Sequence, residues 1–195
     1  MDPFEAIDNR LFVLILQHPR ERKEPLSTAP LACALLARSL LEVGLSWPGL
    51  PKILGRPVEA RRWGVLYLGS ARPSRMGVAE EIILLDRRGK RAAGRQTLEK
   101  LEGIVVLDGS WQEAKALWWR NPWLLKLNRI VLNPALPARY GRLRREGRRE
   151  ALSTLEAIAF ALKRLDRAPF CEERLLAALE SLIAEAAPSS HRVKR

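Results

Sequence analysis

Apolar residues along this chain fall into two rhythms that alternate, short unbroken runs and stripes repeating at the spacing of a helix face. Leu11 to Gln17 is an unbroken run ending at His18-Pro19, and it predicts a buried strand followed by a loop. Ser27 and Thr28 precede a Leu/Ala-rich pattern with Pro30 in its first turn, which predicts one helix continuing to about Val43. Proline and glycine between Trp47 and Pro57 mark loops. Strands are predicted for Trp63 to Leu68, for Glu81 to Leu85, for Gly103 to Leu107 as the most apolar of the set, and for Arg129 to Leu132. Helical spacing marks Gln96 to Leu101, Ser110 to Trp119, Ser153 to Leu165 and Glu172 to Ala186. The polar end from 188 to 195 reads as a basic mobile tail.

Short apolar strands that alternate with helices imply an α/β fold, a mostly parallel sheet covered by helices on both faces. In such sheets ligands bind beyond the carboxyl ends of the strands. A chain of 195 residues with 47% hydrophobic positions supports one domain, read here as 1–187. No apolar run reaches the length of a membrane span and the start is acidic, so the expected setting is cytoplasmic with no membrane partner. There is no internal repeat, no phosphate-binding loop of the Walker type and no glycine-rich dinucleotide fingerprint. Cys33 and Cys171 stand alone in helix-like apolar surroundings, which suggests small buried residues and no metal site.

Charge changes this picture. A formal net charge of +12 attracts polyanions, and the surplus is carried mostly by arginine, whose planar fork suits phosphates and base edges. A heat-adapted surface of ion-pair networks would also use many arginines, but it would not leave them uncompensated. Between Leu132 and Ser153 lies a stretch without apolar periodicity that carries Asn133-Pro134, Arg139, Tyr140, Arg142, Arg144, Arg145, Arg148 and Arg149. Loops of that length in compact domains are usually functional or disordered. Repeated arginines with a tyrosine suit a surface that follows a phosphate backbone and stacks on an unpaired base, although a solvated charge run has the same composition.

The densest candidate chemistry is Leu107-Asp108-Gly109-Ser110-Trp111. A carboxylate ends a buried strand, glycine frees the turn, and serine opens a helix. Ser110 and Glu113 have capping-box spacing, so a purely structural reading of Ser110 is available, as is a turn or capping role for Asp108. Trp111 and Trp118, seven positions apart on one helix face, read as core. Ser153-Thr154-Leu155-Glu156 repeats the capping box, and such a helix start can either cap itself or hold an anion. His18 follows the first strand, where a histidine serves as a structural hydrogen-bond partner or as a catalyst.

Taken in order, these segments resemble the DTW-domain family of aminocarboxypropyltransferases that act on uridine in RNA. The family signature Asp-x-Thr-Trp is matched by Asp108-Gly109-Ser110-Trp111, followed by Gln112-Glu113-Ala114-Lys115. Asn133-Pro134, Arg139-Tyr140, the arginine cluster and Leu152-Ser153-Thr154-Leu155-Glu156-Ala157 resemble its later blocks. His18-Pro19-Arg20-Glu21 and Pro25-Leu26-Ser27-Thr28 resemble its opening motif. Ser110 replaces the signature threonine, keeping hydroxyl and cap, and the cysteine-rich segment that often precedes the family's domain is absent. The serine leans toward the related ribosomal-RNA enzymes, while the paired arginines before Ser153 look more like the tRNA-directed branch.

The resemblance implies a SPOUT-like fold with a carboxyl-terminal knot, S-adenosylmethionine as co-substrate, no metal, and tRNA (alternatively rRNA) as partner. It implies cofactor contacts at Thr28, Leu68, Gly69, Leu132, Asn133, Leu152, Ser153 and Thr154, with Thr28 toward the methionine end. Asp108, Ser110 and Trp111 would form the catalytic group, Asp108 being the candidate base for the uridine ring proton once sheltered from water. A SPOUT-type RNA methyltransferase or a non-enzymatic RNA-binding module are the rival readings.

Overall fold

The computed structural model describes residues 6–66, 81–86, 88–91, 95–133, 152–166 and 169–186. In chain order these contain β1 (Phe12–Gln17), α1 (Ala29–Leu35), β2 (Ser39–Val43), α2 (Leu50–Leu54), β3 (Trp63–Leu66) and β4 (Ile82–Leu85). Then follow α3 (Arg95–Glu99), β5 (Gly103–Asp108), α4 (Trp111–Arg120), β6 (Asn128–Leu132), α5 (Thr154–Leu165) and α6 (Pro169–Ala186). The strands form one six-stranded sheet in the order β2-β1-β5-β3-β6-β4. All neighbours run parallel except β4, which lies antiparallel on β6.

Alternation within each strand divides the core in two, because successive side chains of a strand point to opposite faces. Val13 and Ile15 of β1 join Ile104 and Val106 of β5 beneath α1, α5 and α6, in a cluster that also holds Ile158, Leu162 and Leu175. Leu14 and Leu16 join Val105 and Leu107 on the other face, under Leu50 of α2, Ala114 and Leu117 of α4, Leu124 of the 3₁₀ turn Pro122–Lys126 after it, and Leu127 just beyond that turn. All six residues of β5 are buried, as a central parallel strand covered on both sides must be. Leu117 is fully buried, so trimming it to alanine would cost about 2–5 kcal/mol. Gly103 is obligatory for packing, since a Cβ there would stand 2.6 Å from the Trp63 ring and 2.7 Å from the Phe12 carbonyl oxygen.

The long helix predicted from Ala29 to Val43 is corrected. It stops at Leu35, and Ser39–Val43 forms β2, paired in parallel with β1 from Val13↔Ser39 to Gln17↔Val43. The Leu/Ala stripe is compatible with either state, and the free edge of β1 supplies a hydrogen-bond ladder that outweighs helix propensity. The loop predicted between Trp47 and Pro57 contains α2, with Pro51 in its first turn and Gly55 in the left-handed conformation that ends it. Among the described residues, no helix is long and apolar enough to cross a membrane.

Candidate functional site at the carboxyl ends of β1 and β5

Parallel pairing sets Gln17, the last residue of β1, directly beside Asp108, the last residue of β5. Both are buried, and the Gln17 amide donates to Asp108 Oδ2 at 2.8 Å and to Ser27 Oγ at 3.0 Å. The Thr154 hydroxyl, in the first turn of α5, donates to the other oxygen, Asp108 Oδ1. Asp108 is 5% exposed, so its carboxylate is held by two donors brought from β1 and α5. Thr28 stands at the start of α1, but its hydroxyl does not cap that helix. It accepts instead from the Leu155 backbone N–H at 3.3 Å. Five buried polar residues, Gln17, Thr28, Asp108, Ser153 and Glu156, thus come from four elements to one edge of the sheet.

Both capping boxes form. Ser110 Oγ accepts from the Glu113 N–H, while Glu113 Oε2 accepts from the Ser110 N–H at 2.9 Å and from its hydroxyl at 2.8 Å. Ser153 and Glu156 repeat the exchange at α5, at 3.2 and 2.9 Å. The two helix starts flank Asp108 on opposite faces of the sheet.

On the α4 side lies a cleft of about 460 Å³, a size that suits a small ligand or a nucleobase with its sugar. His18, Arg20, Leu45, Ser110, Glu113 and Arg120 line it. Glu113 Oε1 faces His18 Nδ1 at 3.4 Å. The Arg20 backbone N–H also donates to Nδ1, at 3.3 Å. Burial pushes the Glu113 carboxyl upward, but hydrogen bonds from the Ser110 N–H and hydroxyl, with the charges of His18 and Arg20, outweigh it and hold Glu113 below the ordinary glutamate value. Asn121, fully buried at the end of α4, fixes the opposite wall. Its amide donates to the Leu45 carbonyl at 3.1 Å and to the Leu117 carbonyl at 2.8 Å, and its oxygen accepts from the Trp47 N–H at 2.9 Å.

Of the residues expected at the site, Thr28, Asp108, Ser110, Ser153 and Thr154 converge here, with Leu152 half-buried beside Ser153. Leu132 and Asn133 end β6 on the same edge of the sheet, separated from β5 by β3, and the Asn133 N–H donates to the Glu81 carbonyl at 2.8 Å. Trp111 is 44% exposed, which corrects its reading as core. Trp118 does pack partly against the α4-side core and carries the Arg129 guanidinium 5.5 Å over its ring. Leu68, Gly69, Arg139, Tyr140, Arg142, Arg144, Arg145, Arg148, Arg149 and the 188–195 tail lie outside the described residues. Gln17 and the pairing of Glu113 with His18 were missed in the sequence, because each contact joins positions about ninety residues apart. Among the described residues, no group of three or more metal-ligating side chains occurs.

The architecture is that of an open α/β sheet with buried polar residues gathered at the carboxyl ends of two neighbouring strands, beside a cleft of ligand size. The chain belongs to the DTW domain family, whose model matches residues 2–187. It is 27% identical over 172 residues to tRNA-uridine aminocarboxypropyltransferase 2 of Macaca fascicularis, covering 86% of this chain and 52% of that protein. It is 29% identical over 188 residues to the Drosophila melanogaster protein of the same name, covering 92% and 65%, and 26% identical to the Mus musculus one, covering 92% and 56%. The chain therefore spans between about half and two thirds of the length of these curated relatives. No solved structure matches it.

Proposed function

We propose that this protein transfers the 3-amino-3-carboxypropyl group of S-adenosylmethionine to a uridine base in tRNA, releasing methylthioadenosine. The observation that carries the reading is the polar cluster around Asp108, in a DTW-domain chain whose relatives bear that transferase name. The residues fit such a donor. Arg20 and Arg120, which line the cleft, suit a carboxylate or phosphate. Thr28, Leu132, Asn133, Leu152, Ser153 and Thr154, with Leu68 and Gly69, would hold the donor. The SPOUT-like knotted closure and a cytoplasmic setting belong to the same reading.

When bound, the donor supplies an activated carbon next to a sulfonium leaving group. The protein's task is to orient that carbon toward the uridine ring nitrogen, to exclude water and to move one proton. Asp108 serves this reading by locking Gln17, Thr154 and the ends of β1 and β5 into one frame, while Ser110 and Trp111 edge the acceptor side. The net charge of +12 and the arginines from Arg139 to Arg149 supply attraction for the RNA backbone.

Product identity tests the proposal. Incubation with S-adenosylmethionine and an unmodified tRNA transcript is expected to release methylthioadenosine. S-adenosylhomocysteine would instead show a methyltransferase, and RNA retention with neither product would show a binding module.

A further inference from the structure

We infer that His18 takes the ring proton of the acceptor uridine and that Glu113 is the positioning residue that orients its imidazole, an inference that rests on the transfer reading above. Three observations support it. His18 and Glu113 both line the cleft, with side chains only 12% and 14% exposed, so the pair is sheltered yet reachable. Asp108 is not part of the cleft lining, and both of its oxygens already accept hydrogen bonds from Gln17 and Thr154. Gly109 leaves the room the pair occupies, because a Cβ there would stand 2.8 Å from Glu113 Cβ and 3.4 Å from His18 Cβ.

Nδ1 of His18 has two partners that demand opposite protonation states. The Arg20 N–H at 3.3 Å requires a bare nitrogen, whereas Glu113 Oε1 at 3.4 Å rewards an N–H. When Nδ1 carries the proton and donates to Glu113, Nε2 presents its lone pair, and among the described residues Nε2 has no protein partner. An imidazole held in this way is a far better base near neutral pH than a carboxylate. Nε2 accepts the uridine N3 proton, and the freed N3 electron pair forms the bond to the donor's γ-carbon. The bond from that carbon to sulfur breaks, its electrons stay on sulfur, and methylthioadenosine leaves uncharged. The resulting imidazolium lies beside the Glu113 carboxylate and returns its proton to water. The charged groups that line the cleft with His18 are Glu113 and Arg120 of α4 and Arg20 of its own loop, while Glu21 and Asp108 meet it through backbone hydrogen bonds.

The chain has only two histidines, so imidazole NMR resolves the site directly, with His191→Gln assigning the signals. In Glu113→Gln, which keeps size and removes charge, the imidazole nitrogen signals of His18 are expected to show less of the Nδ1–H tautomer than in the parent. The kcat on tRNA should fall with it. His18→Gln should lower kcat by about 10²–10⁴-fold while S-adenosylmethionine affinity stays within about twofold. If His18→Gln does not fold, the Glu113→Gln comparison carries the test alone. His18 imidazole signals unmoved by Glu113→Gln, or a kcat that ignores their change, overturn the inference. So does a folded His18→Gln enzyme turning over at the parent rate. A parent protein that releases no methylthioadenosine while the His18 imidazole signals of parent and Glu113→Gln still differ as described would sink the transfer reading and the base role, leaving the pair itself established.

Discussion

The two helix starts beside Asp108 carry the same four-residue device and do different work. Ser110 and Glu113 cap α4, and Ser153 and Glu156 cap α5, with both halves of the exchange formed in each. At α5 the glutamate is 5% exposed and belongs to the packed seam where Thr154 meets Asp108 and Leu155 meets Thr28. At α4 the glutamate caps with one oxygen and turns the other toward His18 across a cleft. A capping box therefore says where a helix begins. What lies opposite its carboxylate decides whether it is also a site.

The largest expected effect falls on the residue between them. Asp108→Ala would leave one N–H of the buried Gln17 amide and the half-buried Thr154 hydroxyl without their acceptor, a loss of about 1–3 kcal/mol or more by denaturant unfolding. Asp108→Asn keeps the shape and one good acceptor and should cost about 1–3 kcal/mol. If Asp108→Ala destabilises by less than Asp108→Asn, Asp108 does not join the two helix starts.

Removing one cap at a time sharpens the contrast. Ser153→Ala and Ser110→Ala should each cost about 1 kcal/mol in thermal or chemical unfolding, since each frees a backbone N–H. Only Ser110→Ala should also alter the pH profile of turnover, because Ser110 donates twice to the carboxylate that faces His18. Equal effects on both profiles would erase the distinction between the boxes.

Acid stability gives a smaller signal. Glu113 is held below its ordinary value of 4.5, so its contribution to stability is present above that pH and is lost as pH falls through the folded-state value. Unfolding midpoints of the parent and Glu113→Gln, measured from neutral pH into the acid range, should converge below about pH 4.5. Parallel curves would mean that Glu113 does not stabilise the fold electrostatically. Smallest of all is Ser110→Thr, which keeps the hydroxyl and the cap and should shift stability by only a few tenths of a kcal/mol.

Much of the scaffold was readable because its signals are local. The strand ending at Asp108, both capping boxes and the amphipathic stripe of α5 follow from spacing along the chain. Errors fell where the decision is made by a distant partner. Ser39–Val43 became a strand because β1 offered an edge, and Trp111 stayed exposed because α4 turns toward its core at Ala114 and Leu117 instead. The candidate site was half legible. Asp108 and Ser110 stood out by type and position, and Thr28, Ser153 and Thr154 only through the family resemblance, whereas Gln17 looks like an ordinary polar end to a strand until parallel register sets it against Asp108.

The strand order has a consequence for synthesis. β1 is made before the other strands, yet its neighbour β5 begins at Gly103, and of the helices that cover their shared face only α1 precedes β5 while α5 begins at Thr154. For most of translation the apolar run from Phe12 to Leu16 has only β2 to pair with, and the central strand must be inserted between β1 and β3, both made before it. Contacts so far apart in the chain close slowly and leave sticky strands exposed meanwhile. Shortened chains ending before residue 103 are expected to aggregate or be degraded, and a nascent chain should gain protease resistance only after α5 has emerged.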